Sequence, residues 1–312
     1  MSQRRRLLLI GAGGFVGAHL ADVAAGAGYE LVATGRQPVG EVPSCDLLDP
    51  ASVSACVAVV KPDLVLNAAG AASVGRSWER PAETFAVNAT GVLHLLEAVT
   101  REAPAAHVLC ISSADVYGVR DESELPLDER LEPRPVTPYG ASKAAMEMLC
   151  GQYARSRGLR IGIARLFNLI GPGQSPRFAA PSFARRIVEA ERAGEAQVDL
   201  ALGNAAARRD FVDVRDGARA LVELSGRELC GTYNLCSGEG RTIAQLVEEL
   251  SGQARVPITL RREPGLERPA DPPALVGDPR RLREATGFVP QIPLVQSLAD
   301  LLDEWRARLA SA

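Results

Sequence analysis

Leu7-Leu8-Leu9-Ile10-Gly11-Ala12-Gly13-Gly14-Phe15-Val16-Gly17, near the start of this 312-residue chain, is an apolar run breaking into glycines. Four large apolar residues in a row followed by a turn signal suit a buried strand, and the stretch from His19 to Ala27 reads as a helix. Strand, tight turn and helix is the unit in which backbone approaches a pyrophosphate lying on a helix N-terminus. Gly11, Gly14, Phe15, Val16 and Gly17 are therefore candidate cofactor-binding residues. Their Gly-x-x-Gly-x-x-Gly spacing departs from the Gly-x-Gly-x-x-Gly of many dehydrogenases, because Val16 occupies the last position of that pattern.

Outward from this unit, residues from about Arg4 to Leu166 alternate strand and helix at βα spacing. That alternation implies an α/β fold with a Rossmann-type, doubly wound parallel sheet. After Asn168 it loosens: Pro181–Ala193, Thr242–Leu250 and Asp300–Leu309 read as helices, and Val198–Leu202 and Pro257–Leu260 as extended pieces. Asp216–Leu224 reads as a helix returning to the first lobe. The expected division is a dinucleotide-binding domain over 1–168, with later segments rejoining it, and a smaller, mostly substrate-binding lobe over 169–312.

The second strand, Glu30–Thr34, ends at Gly35-Arg36 with no acidic residue placed to grip a ribose 2′-hydroxyl. Gly35 leaves room and Arg36 supplies a cation, a pairing that favours the 2′-phosphate of NADP(H) over NAD(H), which stays the alternative. Asp46, with Leu47 beside it, is a candidate acceptor for the adenine amino group, and Asp49 a helix cap. Asp63 to Gly70 reads as a strand running into a small-residue loop, Ala68-Ala69-Gly70, against which a flat ring could lie. Val108 to Gly118 reads as a strand delivering Ser112 and Ser113 to its C-terminal end, where ligands bind in open α/β sheets.

Tyr139 and Lys143 are four residues apart in Pro138-Tyr139-Gly140-Ala141-Ser142-Lys143, so a helix places them on one face. A nearby ammonium is expected to lower the phenol's pKa, poising Tyr139 to move the proton that accompanies hydride transfer at a carbonyl. Ser113 is placed to hydrogen-bond the reacting oxygen.

Together the glycine pattern, Asn67-Ala68-Ala69-Gly70, Ser112 to Gly118 and Tyr139 to Lys143 resemble an extended short-chain dehydrogenase/reductase of the NAD-dependent epimerase/dehydratase family. Arg165 to Gln174, Arg209 to Asp216, Tyr233 to Gly238 and Arg268-Pro269-Ala270-Asp271 are similar to further signatures of that family, so the resemblance spans nearly the whole chain. It implies catalytic roles for Ser113, Tyr139 and Lys143, cofactor contacts that extend to Ser112 and Phe167, and substrate contacts from Asn168, Arg209, Arg268 and Asp271. A homodimer acting on a nucleotide sugar is implied too. The second half is most similar to enzymes that reduce GDP-4-keto-6-deoxy-D-mannose to GDP-D-rhamnose.

A 4,6-dehydratase is the nearest rival. Related dehydratases place a glutamate two residues after the catalytic hydroxyl, and here the shorter Asp115 stands there. A 4-epimerase and a non-catalytic cofactor sensor remain open alternatives. Asn88, Asp210 and Asp213 are read first as structural.

The net charge of −3 gives no reason to expect nucleic-acid binding. The cations that hold phosphate must be local, which would suit Arg209 and Arg268 in loops. No apolar run reaches membrane-spanning length, and six cysteines without a Cys-x-x-Cys pair suit free thiols in a cytoplasmic protein. Three scattered histidines form no metal-ligand pattern.

Overall fold

The computed structural model describes residues 4–38, 42–266 and 271–310. Among them the strands, in chain order, are β1 (Arg6–Ile10), β2 (Glu30–Thr34), β3 (Leu64–Asn67), β4 (His107–Ser113), β5 (Arg160–Leu166) and β6 (Asn168–Ile170), followed by β7 (Val198–Leu202), β8 (Arg208–Asp213), β9 (Gly231–Leu235), β10 (Gly240–Thr242), β11 (Ile258–Arg262) and β12 (Ala274–Leu275). β2, β1, β3, β4, β5 and β9 form a six-stranded sheet in that order. Every pair in it is parallel.

Successive strand residues point to opposite faces, and the sheet is buried on both. Leu8, Ile10, Val65 and Val108 pack with helices Pro50–Val60, Gly91–Glu102 and Pro138–Arg157, whereas Leu7, Leu9, Leu64 and Leu109 pack with helices Phe15–Gly26 and Val214–Gly226. Burying each such aliphatic side chain contributes about 1.5–3 kcal/mol before entropy is counted. The chain leaves β1 towards β2 on one side and returns with β3 on the other, and ligands bind at such a reversal, beyond the strand ends.

A second core lies after Ile170. Helices Ala179–Ala193, Ile243–Ser251 and Leu294–Ala310 enclose Phe183, Ile187, Leu246, Leu298, Leu301 and Trp305. β8 is the hub of this part: it pairs with β6 and β12 in parallel and β10 antiparallel, while β7 pairs with β11. Helix Val214–Gly226 packs on the first sheet, where the sequence led one to expect a returning helix, and strand β9, which the sequence reading did not mark, joins its edge beside β5.

Several elements differ in extent from the sequence reading. The first helix begins at Phe15, inside the glycine pattern, and the last begins at Leu294, because Leu298 belongs to the same buried face as Leu301 and Leu302. The returning helix starts at Val214, where Asp213 caps it by accepting from the Arg215 N–H. No helix among the described residues is long and apolar enough to cross a membrane.

Candidate active site

Thr137 starts helix Pro138–Arg157, which carries Tyr139 and Lys143. Its hydroxyl accepts from the Gly140 N–H at 2.9 Å, and Pro138 at the first helical position is already fixed near helical φ. The Tyr139 N–H donates to Ser77 Oγ at 3.2 Å. One turn on, the Lys143 ammonium donates to the Ile111 carbonyl of β4 at 2.8 Å, and both side chains are buried. Ser113 ends β4; its hydroxyl donates to Asp115 Oδ2 at 2.8 Å and accepts from the Asp115 N–H at 3.1 Å.

Burial and then the Asp115 carboxylate push the Tyr139 phenol above its ordinary value, against a weaker pull from the Ser113 hydroxyl. The structure thus brings Ser113, Asp115 and Tyr139 into one electrostatic cluster, and it corrects the expectation that Lys143 lowers the phenol. Burial brings Lys143 itself down to about 8, against opposing contributions from Cys110, Glu147 and Cys150.

The glycine turn fits a dinucleotide. Gly11 has φ +87°, and a Cβ there would stand 2.6 Å from the Ala69 nitrogen, so only glycine lets β1 and the loop after β3 meet this closely. A Cβ on Gly17 would collide with the Gly11 carbonyl oxygen, which seats the helix on the turn. A Cβ on Gly13 would meet nothing within 4 Å. No side chain caps helix Phe15–Gly26, leaving its first N–H groups to be satisfied from outside the helix. Phe15 and Val16 are half-buried and pack against the sheet from this first turn.

Arg36 is exposed just beyond β2, and a Cβ on the neighbouring Gly35 would meet nothing within 4 Å. Asp46 Oδ1 accepts from the Leu48 N–H at 3.0 Å, the Leu47 carbonyl meets His94 Nδ1 at 2.8 Å, and Asp49 caps its helix as expected. Asn88, in a π-helical turn over Ala86–Thr90, grips the Ala71 backbone through both amide atoms, at 2.8 and 3.0 Å. This is the structural role expected of it, and it holds the Ala68-Ala69-Gly70 loop beside Lys143.

Two expected cofactor residues turn their side chains into the interior, which leaves only their backbone for a cofactor. The Ser112 hydroxyl donates to Glu147 Oε1 at 2.6 Å in the interior, because strand alternation turns it away from Ser113. The Phe167 ring is buried with Tyr117, Leu127, Cys236 and Leu275.

On the other lobe, Arg209 lies on β8 and not in a loop. Its guanidinium donates to Asp271 Oδ1 at 2.8 Å, which unites two expected substrate residues. Asn168 Nδ2 donates to the Asp210 carbonyl at 3.1 Å. The Asp210 carboxylate collects N–H groups from Ser237, Gly238 and Gly277 and the Ser237 hydroxyl, and Asp213 binds Arg215 and Ser297, so both brace the fold. Arg268 lies outside the described residues.

The profile of the NAD dependent epimerase/dehydratase family matches residues 7–236. The chain belongs to this family. It is 37% identical over 309 residues to the GDP-6-deoxy-D-mannose reductase of Pseudomonas aeruginosa, covering 98% of each chain. It is 30% identical over 244 residues to the GDP-6-deoxy-D-talose 4-dehydrogenase of Aggregatibacter actinomycetemcomitans, covering 78% of this chain and 79% of that one. Its fold superposes on the solved structure of RMD from Pseudomonas aeruginosa complexed with NADPH with a TM-score of 0.86 and 35% identity, over 98% of each chain.

For a member of the epimerase/dehydratase family, the sequence reading left out part of the site's support. Ser77 holds the Tyr139 N–H, and no local pattern marks it, since the two are 62 residues apart. His19 Nε2 meets the Pro172 carbonyl at 2.9 Å, tying the helix after the glycines to the segment that follows Asn168. Glu147 pairs with Arg165, and its place one turn after Lys143 was the available signal.

Proposed function

We propose that this protein is an NADPH-dependent reductase acting on the C4 ketone of a nucleotide-linked 4-keto-6-deoxy sugar, converting GDP-4-keto-6-deoxy-D-mannose to GDP-D-rhamnose. The observation that carries this reading is the bond between Ser113 and Asp115. The carboxylate standing where a dehydratase needs a base for C5 is drawn back onto the serine, where it orients a hydroxyl that a ketone oxygen could meet. The likeness to the Pseudomonas aeruginosa reductase, and to RMD complexed with NADPH, supports the same choice of substrate and cofactor.

Bound NADPH would supply the hydride for C4. Gly11, Gly14, Phe15, Val16 and Gly17 would hold its pyrophosphate, Arg36 its 2′-phosphate, and Asp46 and Leu47 its adenine. Ala68, Ala69 and Gly70, the Ser112 and Phe167 backbone, Tyr139 and Lys143 would line its nicotinamide half. Tyr139, kept protonated at neutral pH by burial and by Asp115, donates its proton to the forming alkoxide. Ser113 hydrogen-bonds the same oxygen as charge develops on it. Lys143 holds a cation beside Tyr139 at neutral pH. Arg209, with Asn168, Asp271 and Arg268 around it, holds the diphosphate by charge-assisted hydrogen bonds.

On this reading residues 1–168 chiefly bind the cofactor and 169–312 the sugar nucleotide. We also place the protein in the cytoplasm as a homodimer. Its six free cysteines, five of them buried, suit a reducing compartment, and Met148, a large apolar side chain on the helix of Tyr139 and Lys143, is 75% exposed. Light scattering in solution tests the dimer.

The test of the reaction is to incubate the protein with GDP-mannose alone, and separately with GDP-4-keto-6-deoxy-D-mannose plus NADPH. Product identification by mass and NMR should show reduction in the second tube and unchanged GDP-mannose in the first. Dehydration of GDP-mannose without added NADPH would replace the reductase by a dehydratase.

A further inference from the structure

Behind the catalytic helix a charged group lies deep in the protein. Glu147, one turn past Lys143, receives the Arg165 guanidinium in a forked pair, Nε to Oε1 at 3.0 Å and Nη2 to Oε2 at 2.7 Å. The two side chains are only 8% and 4% exposed. Glu147 Oε1 also accepts from the Ser112 hydroxyl at 2.6 Å. Arg165 stacks over the Tyr117 ring, 4.7 Å from its centroid, and the Tyr117 hydroxyl donates to Asn234 Oδ1 at 2.7 Å. Directly or through Arg165, this one carboxylate is joined to three segments that deliver site residues. Ser112 precedes Ser113, Arg165 stands three residues before Asn168, and Tyr117 closes the turn that carries Asp115.

A buried ion pair rarely adds net stability over an apolar pair of the same volume, so its presence asks for another explanation. We propose that Glu147 is a positioning residue for the reaction: locked by Arg165 and Ser112, it holds the catalytic helix in register with the strand end carrying Ser113 and keeps a negative charge one turn from the Lys143 ammonium. Arg165 balances that charge, so the net field at Lys143 depends on the pair being complete.

The groups that face Lys143 are the Cys110 thiol and Ile111 carbonyl of β4, the Asn88 amide beside Gly70, and Tyr139, Glu147 and Cys150 on its own helix. Asp115 acts from beyond Tyr139, and Arg165 from beyond Glu147. Of these Glu147 alone is an anion on Lys143's own helix face, and Arg165 is the nearby cation that offsets it.

The proposal rests on the reductase reading for its assay, which is NADPH oxidation by GDP-4-keto-6-deoxy-D-mannose followed from neutral to alkaline pH. Reduction fails as Lys143 loses its proton, which sets the alkaline limb. Glu147→Gln removes the anion and leaves the Arg165 cation uncompensated, so the limb should move to lower pH by roughly one unit or more. Arg165→Met leaves the anion uncompensated, so the limb should move to higher pH. A merely structural pair would lower activity in both variants without displacing the limb in opposite directions. Shifts in the same direction, or no shift in either, would overturn the proposal.

If either single variant does not fold, Glu147→Leu with Arg165→Met replaces the pair by neutral groups. This double variant should keep the wild-type limb and its KM for NADPH but lose at least about ten-fold in kcat, because the helix is no longer tied to β4. A kcat within two-fold of wild type would also overturn it. Failure of the function reading is distinguishable, since wild-type protein would then oxidise no NADPH at any pH.

Discussion

Asp115→Asn separates reduction from dehydration. The asparagine keeps an oxygen that can accept from Ser113 but loses the charge. A hydrogen bond to a charged group contributes about 1.5–3 kcal/mol and a neutral one about 0.5–1.5, so the change weakens the Ser113 contact by roughly 1 kcal/mol. If all of that reached the transition state, the rate of ketone reduction would fall about five-fold. A second effect has the opposite sign. The Asp115 charge helps push the Tyr139 phenol up, so its removal makes Tyr139 a somewhat stronger acid and a readier proton donor. Reduction should therefore stay within about ten-fold of wild type. In a dehydratase the same change removes the base that deprotonates C5, a loss of about 100- to 10,000-fold. The assay is initial-rate NADPH oxidation with the keto sugar nucleotide, run beside product NMR in deuterated solvent. Simple ketone reduction carries no deuterium to carbon, whereas elimination and re-addition across C5–C6 place it at C5. A loss beyond about 100-fold, or deuterium at C5 in product made from GDP-mannose, would refute the reasoning.

Tyr139→Phe keeps the ring and loses the proton, so turnover should fall at least about 100-fold while NADPH titration by fluorescence changes little; near-normal turnover would remove Tyr139 from the mechanism. Arg36→Asp should weaken NADPH by roughly 1–3 kcal/mol in the same titration and spare NADH, and equal effects on both cofactors would count against the 2′-phosphate contact. Arg209→Ala should raise the substrate's KM more than it lowers kcat, since a diphosphate held alike in ground and transition states is uniform binding; a fall in kcat alone would assign Arg209 to the fold. Wild-type reduction should be level through neutral pH and fall as pH rises through about 8, where Lys143 gives up its proton in the free protein, and a flat profile to pH 10 would show that its charge is not needed.

Much of this molecule was legible in local sequence. An apolar run broken by glycines, with βα alternation behind it, suffices for a parallel sheet, because period and turn chemistry act over a few residues. Tyr139 and Lys143 were legible for the same reason, since helix geometry alone puts them on one face. The glycines were identified as a cofactor turn, but their separate tasks emerge only in three dimensions. Gly11 makes room for Ala69 in the loop after β3, more than 50 residues away, and Gly17 seats the helix on the Gly11 carbonyl.

What the tertiary structure alone decided concerns charge and pairing. The sequence allowed Lys143 to depress the Tyr139 pKa; burial and Asp115 raise it instead, because desolvation depends on everything packed around the ring. Arg209 could have been a loop cation, and β-pairing put it on β8 against Asp271. Ser112 and Ser113 are adjacent in sequence, yet strand alternation sends one into the Glu147–Arg165 pair and leaves the other with Asp115. Helix and strand periods are written in neighbouring residues, so the sequence determined the framework and the placement of Tyr139 and Lys143 on one helix face. Burial and the partners of each charge arise between segments far apart in the chain, and only folding brings those together.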